Sequence, residues 1–154
     1  RATVADLVTD IQERIFPVGR LDYNTTGLLI MTNDGDLAYR ISHPKHRIYK
    51  TYIVKAEGIV SDTKIAKLRK GVDIGGFRTS PAKVRLIRQL KNATIIEIMI
   101  REGKNRQVRK MFSAVGSRVL ELERTAIGDI RLGRLMEGHY RKLTREEIDY
   151  LKKL

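Results

Sequence analysis

The hydrophobic period changes back and forth along this chain, and that alternation is what limits its fold. Residues 50–56, Lys-Thr-Tyr-Ile-Val-Lys-Ala, alternate as a strand does and put Tyr52, Val54 and Ala56 on one face. From Ser61 or Asp62 the spacing becomes that of a helix, with Ile65, Ala66 and Leu68 inward and Gly71 as its stop. After a loop marked by Gly75-Gly76 and Pro81, residues 84–90 and 94–100 read as a hairpin turning at Lys91-Asn92. The helical stripe returns at Val108, Met111, Phe112 and Val115, opened by Asn105 as N-cap and ended by Gly116. Strands interleaved with helices, several of them in hairpins, predict an α+β fold: a mixed, largely antiparallel β-sheet with helices packed against it.

The flanking segments add smaller pieces. Thr3 with Asp6 reads as a capped first helix carrying Val4, Leu7, Val8 and Ile11 on one face, followed by an extended Phe16-Pro17-Val18. The apolar run Leu28 to Met31 is short enough for a buried strand. Asn33-Asp34-Gly35 opens a helix through Leu37, Ala38 and Ile41, which Pro44 stops. Residues 119–123 suggest another strand, and residues 130–135 are short and irregular. Thr144 and Glu147 form a capping box for a last helix with Ile148 and Leu151 inward. With no repeat, low-complexity tract or linker, residues 1–154 read as a single domain long enough to bury a core.

Charge narrows the partners. Lys plus Arg number 31 against 18 Asp plus Glu, a formal charge of +13. Such an excess attracts polyanions by counterion release, and nucleic acid is the commonest of them. General solubility needs no such imbalance, and the basic residues spread through the chain predict a broad positive face. The absence of cysteine excludes disulfide frameworks and thiolate metal sites. No apolar run is long enough to cross a membrane and no amphipathic Trp/Phe-rich helix supports binding to one, so a cytoplasmic monomer is expected. His43 and His46 stand near one another without an acidic partner, which argues against a metal site.

One loop draws chemical interest. Between Gly19 and Gly27 lies Arg-Leu-Asp-Tyr-Asn-Thr-Thr, with one acid, Asp22, and two threonines able to hydrogen-bond the backbone locally. Spacing alone leaves an Asp turn between strands open beside a catalytic carboxylate on a fixed loop.

The ordered pattern Gly-Arg-Leu-Asp-x-x-Thr-x-Gly-Leu-Leu-x-x-Thr-Asn-Asp-Gly resembles the nucleophile segment of ribosomal RNA pseudouridine synthases of the RsuA/RluB type. Two further motifs resemble the same family: Lys50-Thr51-Tyr52, and Glu102-Gly-x-x-Arg-Gln-Val-Arg-Lys-Met111. So does the closing Gly-Asp-Ile-Arg-Leu-Gly-x-Leu at residues 128–135. The resemblance implies that Asp22 is the essential catalytic residue, that Arg109 pairs with it, and that the Tyr52 ring stacks near the target base. An Arg holds a carboxylate through two parallel hydrogen bonds and favours its ionised form. The implied reaction breaks the bond from uridine N1 to the sugar, turns the uracil and joins C5 to C1′, with no metal or other cofactor. A buried uridine must first be flipped out of its RNA. Arg20 then fits an arginine that props the vacated space, and Arg40, Lys50, Lys104, Asn105, Arg106 and Lys110 are expected to hold RNA. Residues around Asp22 lean slightly to the large-subunit type.

Members of this branch usually open with a small S4-type RNA-binding domain and a Lys-Pro-x-Gly strand. Neither occurs here, so the resemblance implies a trimmed piece of a longer enzyme. Two other readings of the residues stay open. The charge alone fits a non-catalytic RNA-binding or ribosome-assembly module. An acid-base enzyme acting on a small phosphorylated substrate is the third.

Overall fold

A computed structural model of the chain describes residues 3–43, 45 and 48–154. Pro44, His46 and Arg47, expected to stop a helix and to make its exit basic, lie outside the described residues. Val4–Val8 form a 3-10 helix, followed by β1 (Phe16–Pro17), β2 (Thr26–Gly27), β3 (Met31–Thr32), α1 (Gly35–Ser42) and β4 (Lys50–Glu57). Then come α2 (Asp62–Lys70), β5 (Lys83–Gln89), β6 (Ala93–Ile100), α3 (Gln107–Ala114), β7 (Val119–Ile127), β8 (Ile130–Arg131) and α4 (Arg145–Lys152).

The main sheet runs β2-β7-β4-β6-β5, with β8 beside β7. β4 is antiparallel to both β6 and β7, and β5 is antiparallel to β6. Among the described residues, only β2 runs parallel to its neighbour, β7. The expected α+β architecture is therefore present, with antiparallel pairing dominant.

Helix starts follow their capping residues. The Asp34 side chain accepts a hydrogen bond from the Leu37 amide at 3.1 Å, and Ser61 does the same for Lys64 at 3.3 Å. The Thr144–Glu147 capping box is closed in both directions. One face of the sheet (Val54, Ala56, Ile96, Ile98, Leu122) packs on Ile65 and Leu68 of α2 and Val108, Met111 and Phe112 of α3. Phe112 is fully enclosed there, and burial of such a side chain contributes roughly 2–3 kcal/mol. A second cluster gathers Leu28, Ile30, Ile41, Ile127, Ile130 and Leu151 where α1 and α4 meet the end of β7.

Four expectations are corrected. The first helix is a single 3-10 stretch in which only Val8 is buried, while Leu7 stays 53% exposed. Residues 28–31 are not one strand. Leu28 continues the pairing of β2 with β7, donating to the Arg124 carbonyl at 2.8 Å, and the chain then turns so that β3 pairs with β1. The strand expected at 119–123 continues to Ile127, because β4 pairs with it along its whole length. Finally, α3 is capped by Arg106 in the left-handed region (φ 52°), not by Asn105, and without a side-chain cap bond.

Candidate active site

The face that carries the core at one end of the sheet opens at the other end into a cleft of about 530 Å³. Its floor comes from Lys50 and Tyr52 on β4, Leu122 and Arg124 on β7, and Ile100 at the end of β6. Two loops make the walls: the segment with Arg20, Asp22 and Thr25, and the segment Gly103 to Gln107 that leads into α3.

Each loop is fixed from behind. The Thr25 amide donates to the Asp22 carbonyl at 3.0 Å, closing a tight turn under the acid. Gly27 then pairs so closely with β7 that a Cβ there would lie 2.2 Å from the Arg124 carbonyl oxygen. The far loop is organised by Gln107, which is 3% exposed. Its amide oxygen accepts from the Lys104 backbone at 3.1 Å, and its amide nitrogen donates to Glu102 at 3.1 Å. Burial opposes the Glu102 carboxylate, but hydrogen bonds from Ser80 and Gln107 outweigh it and hold its pKa below the ordinary value.

Of the residues expected from sequence, Asp22, Tyr52, Arg20, Lys50, Lys104, Asn105 and Arg106 all line this cleft. Three others do not. The Arg109 guanidinium lies behind the Asp22 loop, where Nη2 donates to the Asn24 carbonyl at 2.8 Å. Among the described residues no ion pair joins it to Asp22. Arg109 thus grips the backbone of the loop rather than the carboxylate itself. Burial first, then the positive charge of Arg106, lowers its pKa, and the charge of Asp22 works the other way. Arg106 assists by donating to the Asn24 side chain at 3.3 Å. Lys110 is exposed on α3 outside the cleft. Arg40 is taken up elsewhere, donating to the carbonyls of Lys152 and Leu154 at 2.8 and 3.1 Å, so it ties α1 to the C-terminal helix.

One contributor, Arg124, escapes the sequence reading, and another, Thr25, departs from its expected part. Arg124 is 8% exposed, and its Nε donates to the Leu28 carbonyl at 2.9 Å. The signal is a charged residue in step with Leu122 and Ala126 on the apolar face of a strand, visible only where that strand extends past Glu123. Thr25, expected to brace the loop through its hydroxyl, instead leaves Oγ1 buried without a partner. Among the described residues, the buried side-chain polar atoms lacking partners are Thr25 Oγ1, Arg109 Nε and Arg124 Nη2. Thr25 and Arg124 line this cleft, and Arg109 backs the Asp22 loop. No cluster of three or more potential metal ligands occurs among the described residues.

Fold and cleft define an α+β domain that sets an acid-bearing loop inside a ring of cations. The chain belongs to the RNA pseudouridylate synthase family, whose model matches residues 7–114. It is 42% identical to the ribosomal large subunit pseudouridine synthase B of Bacillus subtilis over 156 residues, covering 100% of this chain and 64% of that protein. The ribosomal small subunit pseudouridine synthase A of Salmonella typhimurium is 43% identical over 138 residues, 88% of this chain and 58% of the other. An uncharacterized RNA pseudouridine synthase of Aquifex aeolicus is 42% identical over 151 residues, 98% of this chain and 61% of that one. The chain thus spans about three fifths of the length of these relatives. A crystal structure of a pseudouridylate synthase superposes with a TM-score of 0.80 at 38% identity, covering 89% of this chain and 59% of that one. Likeness to the archaeal box H/ACA sRNP Nop10-Cbf5 complex, at 18% identity and a TM-score of 0.59, is one of fold.

Proposed function

We propose that this domain isomerises a uridine of ribosomal RNA to pseudouridine. The observation that carries the reading is the shared cleft: Asp22 and Tyr52 line one cavity, walled by Arg20, Lys104 and Arg106, in a chain of this family. Asp22 acts in its ionised form, either as a nucleophile or as a base toward the ribose. Tyr52 offers a flat face to the unstacked uracil, while the rim cations meet the flanking phosphates and Arg20 props the gap left in the RNA. Arg109 holds the Asp22 loop from behind, so its part is positional.

Within ribosomal RNA the large-subunit molecule is the finer proposal. It rests on the residues around Asp22, since relatives named for the two subunits are nearly the same in identity, at 42% and 43%. The test is to incubate the chain with transcripts of both ribosomal RNAs and map pseudouridine. Asp22→Asn should bind RNA as the parent does and lower product formation by at least about 10³-fold, as loss of a catalytic carboxylate does. RNA that is bound but left unmodified by the parent chain would favour the non-catalytic binding module.

A further inference from the structure

Two cations share the cleft floor, and nothing in the reaction as read above uses them as a pair. Arg124, which lines the cleft, already spends Nε on the Leu28 carbonyl, and its Nη2 is buried without a partner. Lys50 stands nearby on β4, held by a 3.3 Å bond to the Arg101 carbonyl. Burial first, and then the charge of Arg124, lowers the Lys50 pKa, with Glu102 only partly opposing. Stability alone gives no reason to bring two positive groups together beside apolar surface. Beside them the floor carries Tyr52, Ile100 and Leu122, with Val108 of α3 also in the lining. A slot with such sides suits a planar ring better than a hydrated phosphodiester.

Building on the uridine-isomerising reading, we propose that Lys50 and Arg124 together receive the uracil as it departs from the sugar carrying negative charge. When the C1′–N1 bond breaks, its electron pair leaves with the base, and the charge spreads over N1, O2 and O4. The two cations interact more strongly with that anion than with the neutral uracil of the bound substrate, so their effect falls on the barrier rather than on binding. After the base turns, a ring electron pair forms the C5–C1′ bond, the C5 proton is released and N1 takes up a proton. No atom or electron is gained or lost overall.

The probe is 5-nitrouracil, a planar analogue whose nitro group makes a ring N–H acidic enough to ionise near neutral pH, with a distinct absorbance for the anion. Titrated in the presence of the protein, its apparent pKa should fall by about one unit, a roughly tenfold preference for the anion. Lys50→Met and Arg124→Gln should each shrink that fall, and inorganic phosphate should compete weakly. With ribosomal RNA, each variant should lower the single-turnover rate roughly 10- to 100-fold while RNA affinity stays nearly constant. Arg124→Gln also cuts a bond between β7 and Leu28, so if its melting curve shows unfolding, Lys50→Met decides. An analogue that titrates as it does free in solution, or a fall that survives in Lys50→Met, overturns the inference. So does phosphate displacing the analogue at equal concentration, which would assign the cations to the RNA backbone. These failures, with pseudouridine still formed by the parent chain, would count against this inference alone. A fall in pKa with no pseudouridine from any ribosomal RNA would instead overturn the underlying reading and, with it, this reaction step.

Discussion

A methyl group on Gly27 would press to 2.2 Å from the Arg124 carbonyl oxygen, against backbone that cannot swing aside, and its φ of +117° disfavours any side chain. Gly27→Ala should therefore lose at least about 2 kcal/mol, read as a lowered melting temperature. The Asp22 loop should loosen with it, because Gly27 and Leu28 are where that loop is joined to β7. At this scale the sequence singles out Asp22 by a long ordered motif and Tyr52 by a short one, and both side chains line the cleft. It singles out Arg109 as well but not that residue's hydrogen-bond partner, the Asn24 carbonyl, which depends on how two distant loops are juxtaposed. Arg124 was hidden for a different reason: its burial makes sense only once a strand is known to continue past Glu123.

Among the elements, α4 offers the cleanest electrostatic test. Two hydrogen bonds from Arg141 to Glu147, at 2.7 and 2.8 Å, are the main reason the Glu147 pKa is lowered from 4.5 to about 2. Because the folded value is the depressed one, protons bind the unfolded chain more readily. The resulting stability is fully present above pH 4.5 and drains away as the pH falls towards 2. Thermal melts across that window should show a shallower decline for Glu147→Gln than for the parent, with a lower starting point at neutral pH. Parallel curves would disprove the assignment. Elements of this kind were readable because local chemistry specifies them: a capping box for α4, a capping Asp for α1, and alternation in β4 that buries Val54 and Ala56. The split of residues 28–31 was not readable. A continuous apolar run looks the same whether the chain keeps one strand partner or exchanges β7 for β1 halfway along.

For the molecule as a whole, the excess of 13 positive charges would give the proposed RNA binding a salt dependence that no single contact provides. Arg20→Gln and Lys104→Gln, both exposed at the cleft wall, should each reduce the slope of log affinity against log salt by about 0.7–0.9. Neither should change which RNA is preferred, a result that filter binding at several salt concentrations can check. Arg106 stands apart from these rim cations. It caps α3 at φ 52°, a conformation that costs an ordinary side chain roughly 1–2 kcal/mol and glycine almost nothing. Arg106→Gly should thus melt no lower than the parent, or slightly higher, while losing the guanidinium that reaches Asn24. At this one position toughness and performance would move in opposite directions, and a screen for heat resistance alone would select the wrong molecule.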